Sequence, residues 1–168
     1  MTINGGALAR KLKQTKPFTS QAEEALVGLM RTADVLRRAM GTALEGEDTT
    51  IQQYNVLRIL RGAGERGLPT LEIAERMVEH APGITRMIDR LIAKELVVRE
   101  RCAEDRRIVY CAITDLGRGL VHRLDEPMMR ACHLALDPLN EREQRALIGM
   151  LDELRAGHAS FGGEEVFP

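Results

Sequence analysis

The sequence contains no tryptophan, and aromatic residues occupy only 3% of its 168 positions. Apolar residues nonetheless make up 44% of the chain, so its core must be built from Leu, Ile, Val, Met and Ala. This composition favours packed helices over a β-sandwich, in which aromatic and β-branched side chains are enriched. The length is typical of one globular unit with an appended element.

Cysteine is also scarce, and no CxxC pair occurs. The odd number of cysteines (Cys102, Cys111 and Cys132) predicts neither a disulfide framework nor a zinc finger. No apolar run approaches the roughly 20 residues of a membrane helix, and no apolar segment typical of a signal peptide follows the basic N-terminus. We therefore expect a cytoplasmic chain that does not interact with a membrane.

The net charge of −1 gives no sign of a nucleic-acid partner. A DNA-binding surface would have to come from uneven placement of charge. From Ile84 to Arg107 there are seven basic and five acidic residues. By count alone this segment is a solvated, ion-paired face, and only the order of the surrounding elements favours DNA.

Periodicity and capping residues divide the chain into regions. Capping pairs at Ser20/Glu23, Thr50/Gln53 and Asn140/Glu143 predict three helix starts. Pro127 is expected to bend or break the helix that Thr114 begins. The predicted regions are a flexible basic arm (1–18), a helical dimerisation region (19–45 and 115–156), a winged helix-turn-helix (46–114) and a tail (157–168).

The segment from Leu68 to Gly117 is the most informative part of the chain. Thr70 is expected to cap a helix reaching His80, and Pro82 to occupy the first turn of the next helix. The first helix should bury a stripe of Leu71, Ala74, Met77 and Val78. The second should bury Ile84, Met87, Ile88, Leu91 and Ile92. A hairpin follows. Its first strand is expected to begin at Val97, its turn to lie at 103–105, and its second strand to end at Ile113. The expected fold is therefore mainly α with a small β-wing, which is the architecture of a duplex-DNA-binding module.

A recognition helix needs short or basic side chains at the end that enters the major groove. Arg86 is the candidate for base contact because a guanidinium can donate two hydrogen bonds to guanine. Arginines at the wing can reach phosphate or a narrow minor groove. The predicted DNA-binding residues are Thr70, Pro82, Gly83, Thr85, Arg86, Arg90, Arg106 and Arg107.

Residues 62–67 match the pattern G-x-G-x-x-G. The dinucleotide-binding motif needs a strand before it and a helix opening within it. Here a predicted helix precedes the glycines, and Pro69 delays the next helix. The glycines are therefore expected to form a turn, and nucleotide binding is not predicted.

The segment PGITRMIDRLIAKELVVRERCAEDRR, followed by ITDLGR, resembles the MarR family of winged-helix transcriptional regulators. Asp105-Arg106-Arg107 matches the family's wing motif, and Thr114 with Gly117 matches the start of the next helix. The resemblance implies a homodimer that binds pseudo-palindromic operators in double-stranded DNA. It also implies repression relieved by a small organic effector or by oxidation. By the same resemblance, Asp89 and Arg107 pair to anchor the wing, and Arg106 points to DNA. Ala81 and Glu95 depart from the pattern, since a polar N-cap and a glycine are usual there.

Other functions are less well supported by the residues. His122 and Asp125 have metal-compatible spacing, but further ligands cannot be identified, so no metal or cofactor is predicted. No nucleophile–base cluster indicates an enzyme. Two alternatives stay open. One is a redox-responsive regulator using Cys102 or Cys111, and the other is a winged-helix module that binds protein instead of DNA.

Overall fold

The structure, a computed structural model, describes residues 6–79, 81–101 and 109–159. Within these ranges the chain is mostly helical with a small β-sheet, as the sequence predicts, and the sheet has one strand more than the predicted hairpin. The helices are α1 (Ala7–Lys11), α2 (Gln21–Thr42), α3 (Ile51–Gly62), α4 (Thr70–Glu75), α5 (Ile84–Ala93), α6 (Asp115–Leu136) and α7 (Glu141–Ala159). The strands are β1 (Leu68–Pro69), β2 (Val97–Arg101) and β3 (Val109–Ile113). Among the described residues, no helix combines the length and apolar character that crossing a bilayer requires.

The chain divides into two compact units between Thr42 and Ala43. The first unit contains α1 and α2, and α1 lies in the segment predicted to be a flexible basic arm. At the start of α2 only half of the predicted capping box forms. The Ser20 hydroxyl accepts a bond from the Glu23 N–H (3.1 Å), but the Glu23 carboxylate accepts from Thr19. The hydrogen bonds from Thr19 lower the pKa of Glu23.

The second unit contains α3 to α7 and the sheet, whose strand order is β1-β3-β2 with both pairs antiparallel. The predicted capping box of α3 is complete, with Thr50 and Gln53 bonded reciprocally. The core of this unit is aliphatic, as the composition predicts. Its fully buried side chains are Val56, Leu57, Leu60, Ile73, Ile88, Leu91, Val97, Cys111 and Val121.

The prediction for α4 was wrong in length, capping and phase. The helix ends at Glu75, and its N-cap is Pro69, which makes no side-chain cap. Leu71 and Val78 are 72% and 85% exposed, whereas Ile73 is fully buried. The cause is the pairing of β1 with β3, which places Leu68 opposite Cys111 and starts the helix directly after Pro69. This start directs Ile73 into the core.

Helix α6 continues through Pro127 to Leu136, so of the two predicted effects of the proline the break does not occur. Its start is as predicted, since the Thr114 hydroxyl accepts a hydrogen bond from the Gly117 N–H (3.0 Å). Leu124 and Met128 are buried on the two sides of the proline, and this packing keeps the chain helical there. Glu95 adopts a left-handed backbone (φ 58°), which explains why glycine is usual at that position.

Candidate nucleic-acid interface

Helix α5 occupies the place of the predicted recognition helix and begins at Ile84. Gly83 is its N-cap, in a left-handed conformation (φ 91°), and no side chain caps the first turn. Pro82 lies in the preceding turn and not in the first helical turn, so its predicted position was wrong. The chain reverses at Gly83, with the Ile84 N–H bonded to the Ala81 carbonyl (3.1 Å). The uncapped first turn leaves N–H groups available to an anion.

The two faces of α5 separate as predicted. Ile88 and Leu91 are completely buried, and Ile84, Met87 and Ile92 are half-buried around them. The opposite face is exposed. Its solvent-facing residues are Thr85, Arg86, Asp89 and Arg90.

A groove of about 520 Å³ lies between the start of α3 and the first half of α5. It brings together four of the predicted site residues, Pro82, Gly83, Arg86 and Arg90. No acidic side chain is among the residues that line it, which also include Thr50, Gln52, Gln53 and Met87. Within the described part of the chain neither arginine forms an ion pair, so the groove presents two uncompensated positive charges.

Thr70, by contrast, is not part of this groove. Its side chain is half-buried, and its hydroxyl lies 3.8 Å from the Cys111 sulfur. Thr50 and Gln52, which were not predicted as site residues, line the groove from the start of α3. Their position follows only from the packing of α3 beside α5, which no local pattern reports.

The last turn of α5 differs electrostatically from its first half. The Lys94 ammonium lies 3.0 Å from an Asp48 carboxylate oxygen and also donates to the Asp48 backbone carbonyl. A second groove here is lined by the acids Glu47 and Asp48 as well as by Arg90 and Lys94. The positive surface of α5 is therefore concentrated at Arg86 and Arg90.

Asp89 contacts the wing through Arg99 of β2, whose guanidinium lies 2.9 Å from its carboxylate. Arg99 pairs in register with Cys111 of β3. Partial burial works against its charge, but hydrogen bonds to Cys111 and Asp89 raise the pKa of Arg99 overall. Arg106, Arg107 and Cys102 lie outside the described residues, so their predicted roles stay predictions. Arg99 was missed, although strand alternation places it on the same face as buried Val97.

The residues considered for other chemistry are placed as follows. Cys111 is a free and fully buried thiol, and Cys132 is free and exposed. Asp125 forms a bidentate pair with Arg61 of α3, at 2.7 and 3.0 Å. In the described ranges no three His, Cys, Asp or Glu side chains group in a way that suits a metal ion.

This arrangement agrees with comparisons to known proteins. The MarR family model matches residues 49–109, which include α3, the candidate groove and the start of β3. The transcriptional repressor MdtR of Bacillus subtilis is 32% identical over 108 residues, covering 55% of this chain and 68% of MdtR. The chain belongs to the MarR family. The members of this family are transcription regulators and not enzymes.

Solved structures share the same fold. A MarR transcription factor from Planctomyces limnophilus is 38% identical with a TM-score of 0.62, covering 80% of this chain and 98% of that one. A mutant form of MarR from E. coli, solved in complex with operator DNA, is 22% identical with a TM-score of 0.69. That match covers 75% of this chain and 92% of the E. coli chain.

Proposed function

We propose that the chain is a repressor that binds a pseudo-palindromic operator in double-stranded DNA as a homodimer. The observation that carries this proposal is the groove beside α5, which presents Arg86 and Arg90 and has no acid in its lining. A groove of this charge suits a polyanion, and an exposed helix face beside it suits the DNA major groove. The E. coli protein of the same fold, solved with operator DNA, supports the same partner.

Within this proposal the residues have separate roles. Arg86 lies in the first turn of α5 and contacts a base edge, since this end of a recognition helix enters the groove. Arg90, one turn further on, contacts phosphate. Thr85 is exposed beside them, and Pro82 and Gly83 allow the backbone to approach the duplex. Thr70 contributes by supporting α4, while Arg106 and Arg107 contact DNA from the wing.

The homodimer is supported by apolar surface on α6 and α7. Several large apolar side chains there are more than half exposed, although a monomer seldom leaves so much apolar surface in water. These side chains are Met129, Leu134, Ile148, Met150 and Leu154. A second copy of the chain is the proposed cover, because two-fold symmetry also matches a pseudo-palindromic site.

The experiment that tests the function is selection of bound fragments from a fragmented genomic library by the purified protein. We expect enrichment of a short inverted repeat. Failure to enrich any sequence would reject the specific regulator. If random duplex were also not bound at low salt, the winged helix would be a protein-interaction module instead. Release by a small organic effector, which the family resemblance implies, is tested by adding small aromatic and aliphatic acids to the complex with the selected fragment.

A further inference from the structure

Two adjacent acids in the loop before α3 hold cations from two different helices. The Glu47 carboxylate accepts hydrogen bonds from Nε (3.0 Å) and Nη2 (3.4 Å) of Arg123 on α6. Asp48 holds Lys94 at the end of α5 through its carboxylate and its backbone carbonyl. Glu47 and Asp48 are consecutive residues, so the two pairs are attached to one short stretch of backbone. The loop therefore connects the end of the recognition helix to α6.

The loop itself is fixed by its own contacts. The Glu47 N–H bonds to the Leu44 carbonyl (3.1 Å), and Leu44 is buried. The Thr49 N–H bonds to the Glu47 carbonyl (2.7 Å), and the capping box of α3 begins at the next residue. The backbone on both sides of Glu47 and Asp48 is therefore held by hydrogen bonds.

Arg123 lies in a turn of α6 that lacks one backbone hydrogen bond. Pro127, four residues later, has no N–H to bond to the Arg123 carbonyl, and helices bend at such positions. The same turn is held to α3 by the Arg61–Asp125 pair. Beyond the proline, α6 carries the exposed Met129 and Leu134. A movement of the part of α6 that follows Pro127 is therefore transmitted to the rest of the unit through the turn that contains Arg123.

We propose that Glu47 and Asp48 form a positioning clamp that sets the orientation of α5 from α6, and thereby sets the discrimination between operator and other DNA. This inference rests on the proposed DNA-binding function. The clamp does not contact DNA, since its two acids would repel phosphate. The Asp48 side chain is 95% exposed, so its pair contributes little to folding, and its effect should appear in DNA discrimination and not in melting temperature.

The test compares Glu47→Gln and Asp48→Asn with Glu45→Gln in the full-length protein. Glu45 lies exposed in the same loop, and no ion pair is found for it within the described part of the chain. Each substitution removes one negative charge from the same loop, so the change in net charge is the same in all three. Affinities are measured for the selected operator and for a random duplex of equal length. We expect the ratio of the two affinities to fall about three- to tenfold for Glu47→Gln and Asp48→Asn and to be unchanged for Glu45→Gln.

Reversal of one pair separates positioning from general structural damage. The double variant Glu47→Arg with Arg123→Glu restores the pair with opposite polarity. It should recover most of the ratio of operator affinity to random-duplex affinity. Neither single substitution should recover that ratio. The melting temperature is measured for every variant. If a loop variant fails to fold, Lys94→Met removes the Asp48–Lys94 pair from the α5 side instead. Equal ratios in all variants, or no recovery in the reversed pair, would overturn the clamp alone. A wild-type protein without preference for any duplex would overturn the proposed function and the clamp with it.

Discussion

The guanidinium of Arg99 on strand β2 lies 2.9 Å from the carboxylate of Asp89 on helix α5. This pair joins the wing strand to the helix that presents Arg86 and Arg90. Both side chains are partly exposed, at 35% for Arg99 and 53% for Asp89, so the pair stabilises the fold only modestly. Its main consequence is geometric, because it limits where the wing can lie relative to α5.

Removing either partner of this pair should weaken operator binding through the wing. We expect Asp89→Ala and Arg99→Ala each to reduce affinity, and the double variant to be no worse than the worse single one. The coupling energy should be below about 1 kcal/mol because the pair is solvent-accessible. Arg101, two residues further along β2, provides the control, since Asp89→Ala and Arg101→Ala should be additive. If the losses of operator-binding free energy in Asp89→Ala and Arg99→Ala are strictly additive in a binding titration, the Asp89–Arg99 pair does not position the wing.

Glycine at position 67 is required by a close approach of two backbones. A Cβ there would lie 2.0 Å from the Cys111 carbonyl oxygen, and the residue has φ +71°. Gly64 has a similar φ of +79° but open space around it. We expect Gly64→Ala to cost about 1 kcal/mol of unfolding free energy from backbone strain alone. Gly67→Ala should cost about 1–3 kcal/mol more because β1 must move from β3. Equal losses of unfolding free energy in Gly64→Ala and Gly67→Ala, measured by urea unfolding, would argue against the close approach of the two backbones.

The Arg61–Asp125 pair should make stability depend on pH. The hydrogen bonds from Arg61 lower the pKa of Asp125 in the folded state, although its partial burial opposes them. A carboxyl with a lowered pKa adds stability above its unfolded pKa of about 3.9, and this is lost as the pH falls through the folded value. We therefore expect Asp125→Asn to be less stable than wild type near neutral pH, by up to about 1 kcal/mol for so exposed a pair. The difference should shrink progressively below about pH 4.

Urea unfolding of both proteins across this pH range, at one protein concentration, measures the effect. Glu141→Gln is the matched control, because its pair with Arg145 is far more exposed, at 70% and 88%. A difference between wild type and Asp125→Asn that stayed constant down to acid pH would show that the charge of Asp125 is not the cause.

The apolar surface of α6 should be an interface between two copies of the chain. Leu134 is 70% exposed on α6, and Leu71 is 72% exposed on α4. A charged group cannot be buried at an interface without a partner, so Leu134→Glu should dissociate the dimer at micromolar concentration. Leu71→Glu introduces the same charge on a different element and should leave the dimer intact. Sedimentation velocity distinguishes the two, and a monomeric wild-type protein would refute the interface.

Local features of this fold could be predicted from the sequence. The capping box at Thr50 and Gln53 and the buried face of α5 depend on residues within a turn or two of one another. Helix α4 was mispredicted because its phase depends on pairing with β3, more than 40 residues away along the chain. The ion pair of Lys94 could not be predicted for the same reason. Its partner Asp48 is 46 residues distant, and only tertiary packing brings them together.

If α5 determines the DNA sequence to which the chain binds, Arg86→Ala should change that sequence preference. Base preferences of wild type and variant are measured by sequencing selected fragments and by titrating the best fragment at several salt concentrations. Arg118→Ala is the charge-matched control, because Arg118 lines a separate groove with Glu65 and Asp115. We expect Arg86→Ala to lose preference at one base position of each half-site, at a cost of about 1–3 kcal/mol, and Arg118→Ala to retain it. An unchanged base preference in Arg86→Ala would show that Arg86 of α5 does not contact a base.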